Sequence, residues 1–132
     1  MAQGVDTRPA GLAATVAAYA LVLVLTVLCA VWGAFLVPLR LFGVPVPLSV
    51  VVAVVGNAGL GWAAIRITGR RIGGVVPGLG WLLIALAFGT PRPEGDVVIP
   101  SSAMGYAFLG FGTVAATAVL GLRPTPRSRT GR

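Results

Sequence analysis

Between Gly11 and Val37 the chain runs for 27 residues without a charged side chain. A helix rises about 1.5 Å per residue and a bilayer core is about 30 Å thick, so roughly 20 apolar residues cross it. This run exceeds that length, so it is expected to tilt or to project from one face. It is also too long for the core of a secretory signal, which predicts a retained helix. Its one thiol, Cys29, follows Leu28, whereas a lipoprotein signal needs a small residue there. A single cysteine makes neither an internal disulfide nor a cysteine metal site, so Cys29 reads as a small packing residue. Pro38, Arg40, Gly43, Pro45 and Pro47 then stop the helix.

Three more runs follow. Residues 47–65 form the second, with Pro47 suited to a first helical turn, Trp62 at interface depth and Arg66 ending the run. Residues 72–88 form the third, whose first half holds Gly73, Gly74, Pro77, Gly78 and Gly80. That composition is poor helix. Pro77 either kinks the span or marks the start of a shorter one, and a re-entrant hairpin is the alternative. Residues 101–122 form the fourth, with Ser101 or Ser102 as cap and Arg123 and Pro124 as stop. A soluble bundle would carry polar stripes at helical spacing. These runs are apolar all round, which predicts an all-α fold, a four-helix transmembrane bundle over residues 11–122. Residues 1–10 and 123–132 read as tails.

Only 10% of residues are charged, against 57% hydrophobic. A soluble domain carries about 25% charge, so water would meet too little polar surface. The net charge of +7 comes from ten basic residues, all arginine. They lie outside the apolar runs and form no basic groove, which argues against a nucleic-acid partner. They read instead as topology anchors. Arg8, Arg66, Arg70, Arg71, Arg123, Arg127, Arg129 and Arg132 fall on one side; Arg40 and Arg92 fall on the other. Eight against two predicts a plasma-membrane protein with both termini in the cytoplasm. The tail from Arg123 to Arg132 is too polar to fold alone and is expected to meet anionic headgroups or a docking partner.

The residues for catalysis are few. There is no histidine, which excludes His-based triads and His metal ligands. The span interiors hold no Asp, Glu, Lys or Arg, whereas proton-coupled transporters usually place such a group at membrane depth. No phosphate loop or dinucleotide fingerprint fits the glycines. No cofactor is expected. Asn57, near the centre of the second run, is the most polar residue at membrane depth. Its amide reads as an interhelical hydrogen bond or as the lining of a path, and in either case faces protein. Gly74 and Gly78, Asn57 and Gly61, and Gly112 and Ala116 are pairs four residues apart that suit packing within the chain. Arg92-Pro93-Glu94-Gly95-Asp96 reads as a solvated turn. Glu94 and Asp96 alone make a poor site for a hard cation, which takes about six oxygens.

Two resemblances attach to these residues. The stretch Met104 to Thr113 loosely resembles the Phe- and Thr-bearing helix of fluoride channels, which are four-span proteins with a membrane asparagine. Here it lies on the fourth span instead of the third, and that family's Gly-rich Arg motif is absent. The segment Arg92 to Asp96, followed by Val97-Val98-Ile99-Pro100 and Gly105-Tyr106 and preceded by Trp81 with its glycines, resembles the actinobacterial domain of unknown function numbered 6113. That resemblance covers roughly residues 70–122. It implies four spans in a Gram-positive-type plasma membrane and no activity.

The function expected from these readings is a non-enzymatic accessory or scaffold subunit. Its partners would be the lipid bilayer and another membrane protein or a further copy of itself. The competing expectation is a homo-oligomeric small-ion channel or small-solute transporter, with Asn57, Tyr106 and Thr113 lining the path; the functional reading of Glu94 and Asp96 is an outer-loop contact with a cation or a partner.

Overall fold

Hydrocarbon offers a backbone no hydrogen-bond partners, so a chain of this composition satisfies its amides within each segment. A computed structural model describes residues 8–122 and shows that solution. Four helices, α1 (Arg8–Leu36), α2 (Leu48–Thr68), α3 (Ile72–Gly89) and α4 (Ala103–Leu120), are joined by short connections. Each is long and apolar enough to cross a membrane. The first connection carries a small hairpin, β1 (Arg40–Leu41) against β2 (Val44–Pro45), antiparallel. Residues 1–7 and 123–132, with the anchor Arg123 and the rest of the basic tail, lie outside the described residues.

The helix ends differ from the expected bounds for local reasons. Residues 8–10, expected as tail, form the first turn of α1. Arg66 does not end α2. The helix carries it into its last turn and stops at Gly69, whose left-handed backbone (φ 67) closes the cap with its amide on the Ile65 carbonyl at 2.8 Å. The Arg66 guanidinium stacks over the Trp62 ring, 4.7 Å from its centroid. The long side chain thus lies along its own helix while its charge favours the C-terminal dipole end. α3 starts at Ile72 and runs through its glycines to Gly89, so neither the shorter helix starting at Pro77 nor the re-entrant hairpin forms. Of the two candidate caps for α4, Ser102 acts: its Oγ accepts from the Gly105 amide at 3.2 Å.

The helices alternate up and down. Tyr19 early in α1 meets Gly73 early in α3, and the rings of Phe35 and Phe88, late in the same two helices, lie 6.0 Å apart. Cys29 late in α1 meets Val52 early in α2. A side chain on Gly61, late in α2, would touch Val119 late in α4. α2 and α3 each pack against both other helices as well as each other, so α1 and α4 occupy opposite corners. The interior is built mainly from small side chains, among them Ala30, Ala34, Ala53, Ala85 and Ala115. Large apolar residues such as Leu21, Val24, Trp32, Val55, Leu83 and Phe111 face outward, where a bilayer would cover them.

Pro77 lacks an amide hydrogen, so the Gly73 carbonyl one turn earlier loses its helical donor. The Tyr19 hydroxyl of α1 donates to that carbonyl at 2.8 Å. The defect in α3 is thereby satisfied by a neighbouring helix, and the same bond ties the two together. Tyr19→Phe is expected to lower stability by about 1 kcal/mol. The loss should shrink in a Pro77→Ala background, where residue 77 donates for itself. Reversible unfolding in detergent micelles, run as a double-mutant cycle, checks this; equal losses in both backgrounds would refute the coupling.

Candidate functional site

Most hydroxyls in the bundle are consumed locally. Thr15, Thr26 and Thr68 donate to carbonyls four residues back in their own helices, as do Thr113 and Thr117. Three buried polar atoms are not: Ser49 Oγ, Asn57 Nδ2 and Trp81 Nε1 have no partner among the described residues. Ser49 and Trp81 are fully buried and Asn57 is 5% exposed. Each can donate a hydrogen bond, so each asks for a lone pair. Leaving one unmet in a buried setting costs about 1–3 kcal/mol.

Their placement follows from α2 and α3. Ser49, Ala53, Asn57, Gly61 and Ala64 fall on one buried face of α2, because residues four apart share a helix face. Asn57 is the tenth residue of α2, Trp81 the tenth of α3 and Gly112 the tenth of α4. All three therefore sit near mid-length. Ser49 lies about 12 Å along the axis from Asn57, eight residues at the helical rise. The Trp81 indole lies flush on Gly112, where any Cβ would collide with its six-membered ring. Phe108 reaches across the bundle to α1, where a Cβ on Gly33 would come within 2.7 Å of its ring. Trp81 and Phe108 tilt against each other with centroids 5.2 Å apart. Two large rings set into two glycines thus fill the centre.

The residues picked out in the sequence have separate surroundings. Asn57 faces protein, as expected, but its Nδ2 makes no interhelical bond. Tyr106 is 66% exposed on the outer surface of α4. Thr113 gives its hydroxyl to the Leu109 carbonyl at 2.7 Å and edges a groove between α3 and α4. Glu94 and Asp96 are exposed on a turn in which Gly95 adopts φ 88 and donates to the Arg92 carbonyl at 2.9 Å. Arg66, Arg70 and Arg71 are exposed at the opposite end, around the α2–α3 connection. The pairing of Gly74 with Gly61 and Ile65, and of Gly112 with Trp81, shows small residues used for packing within the chain. Ser49 and Trp81 were not picked out in the sequence as unmatched polar groups, because burial and not residue type makes them so.

The chain matches the Family of unknown function (DUF6113) over residues 5–132. It belongs to that family. The match extends well beyond the residues 70–122 on which the sequence resemblance rested, so the family pattern takes in α1 and α2 as well. No curated protein and no solved structure matches the chain. The family assigns no activity, so none of its members' residues lends a role to Asn57, Trp81 or Ser49.

Gly112→Ala is expected to cost about 1–3 kcal/mol through overpacking against the indole. Trp81→Phe in the same chain should recover part of that loss, since a smaller ring frees the space. Thermal unfolding in detergent checks both; a Gly112→Ala chain as stable as the parent would show that the seat is not tight.

Proposed function

We propose that this four-helix membrane protein is a non-enzymatic accessory or scaffold subunit of a larger membrane assembly. The observation that carries the reading is the length of α1. At 29 residues it is about 43 Å long, whereas α3 and α4, at 18 residues, are about 27 Å. Tyr19 already meets the start of α3, so the turns before it extend past that neighbour. Every residue from 11 to 17 is exposed, including Leu12 and Val16. An apolar helical overhang with no cover among the described residues suits a second helix as partner. The arginine asymmetry supports a plasma-membrane setting with both termini, and hence the overhang, on the cytoplasmic side.

Affinity purification of the full-length chain from its native membrane, with mass spectrometry, tests the reading. A stoichiometric membrane partner is expected, and Leu12→Asn with Val16→Asn should release it while leaving the bundle's thermal unfolding within about 0.5 kcal/mol. Retention of the partner by that variant would move the contact elsewhere. For orientation, Glu94→Cys in a Cys29→Ala chain should react with an impermeant maleimide from outside the cell; reaction only after permeabilisation would invert the topology.

A homo-oligomeric channel or small-solute transporter is the second reading. The unmatched donors of Ser49, Asn57 and Trp81 favour it, since a passing solute with lone pairs would meet them. Asn57→Leu discriminates in liposome flux and unfolding assays. Altered flux with unchanged assembly supports a path, and lowered stability with no flux in the parent chain supports packing.

A further inference from the structure

Between α3 and α4 the bundle leaves a groove, open along one side and lined by Gly74, Gly78, Ala116 and Thr117, with Leu82 and Thr113 at its far end. Its walls are carbon. The hydroxyls of Thr113 and Thr117 are turned onto carbonyls of their own helix, and both glycines expose no side chain. From Gly74 to Leu82 the groove runs eight residues, about 12 Å, close to half of a core about 30 Å thick. It therefore serves one leaflet only, the one beside the α2–α3 connection. Arg70 and Arg71 stand exposed at that end, Arg71 as the cap residue of α3, one turn before Gly74. The first turn of α3 carries no acidic residue, and Glu94 and Asp96 belong to the α3–α4 connection at the other end.

We propose that this groove binds one anionic phospholipid of that leaflet, its acyl chain along Gly74 to Leu82 and its phosphate at Arg70 and Arg71. Length and charge both select this occupant. The groove ends where a leaflet ends, and guanidinium groups pair with phosphate oxygens through charge-assisted hydrogen bonds. A second copy docked through the same groove with two-fold symmetry would bring two Arg70–Arg71 pairs to the same depth, where like charges repel.

The test is titration of the full-length chain in mild detergent with phosphatidylglycerol or with phosphatidylcholine of the same acyl chains, read by native mass spectrometry. One phosphatidylglycerol per chain is expected to survive at concentrations that leave phosphatidylcholine unbound. Arg70→Gln with Arg71→Gln, at exposed positions outside the packed core, should weaken retention on the order of tenfold. Thr113→Leu with Thr117→Leu should fill the groove and lower retention with unchanged helical circular dichroism. Equal retention of the two lipids would overturn the proposal. So would undiminished binding in either variant, or a dimer that the leucine variant dissolves.

Discussion

The structure depends on one constraint: a polar backbone group at membrane depth has to find its partner inside the protein. The helices meet it for most residues. The remaining cases are where the sequence departs from a uniform helix, and each has a local answer. Pro77 frees a carbonyl that Tyr19 takes from the neighbouring helix. Ser102 accepts one of the first amides of α4. Gly69 turns its own amide back onto Ile65. The threonines fold their hydroxyls onto the preceding turn. A chain with only 10% charged residues has little else to spend on polarity, so these few bonds decide where helices begin, end and touch.

Packing follows from the same solvent. Hydrocarbon competes on equal terms for large apolar side chains, so close approach of backbones is what holds such helices together. The interior accordingly collects alanine and glycine, and the larger aliphatic residues point outward. Trp81 and Phe108 are the largest exceptions. They enter the centre only because Gly112 and Gly33 vacate the facing positions, and their tilted contact joins α3, α4 and α1 at one point although α1 and α4 lie at opposite corners. The unmatched donors of Asn57 and Trp81 near this centre, and of Ser49 in the first turn of α2, are what the packing leaves over.

The number and order of the helices were legible in the sequence because apolar length and charge placement are properties of runs, insensitive to contacts. Helix ends were less so. Arg66 looked like a stop, yet stacking on Trp62 lets α2 continue, a pairing four residues apart that run length does not register. The third helix looked weak because propensity counts Gly73, Gly74 and Pro77 against it. The structure turns two of those residues into assets: Gly74 admits Ile65 of α2, and Pro77 creates the acceptor for Tyr19. The candidate site was legible only in part. Asn57 stands out in any apolar run, but Tyr106 and Thr113 were grouped with it by residue type, and their helix faces part them. The hairpin escaped notice because its turn places Phe42 at φ 52, a conformation that Asn or Asp usually signals.

The connection between α2 and α3 spans only Gly69, Arg70 and Arg71. So short a turn leaves the two helices no freedom to part. The two therefore behave as one hairpin, in which Ile65 of α2 covers Gly74 at the glycine-rich start of α3. The two arginines, costly to carry through a hydrocarbon core, hold the hairpin's bend at a membrane surface.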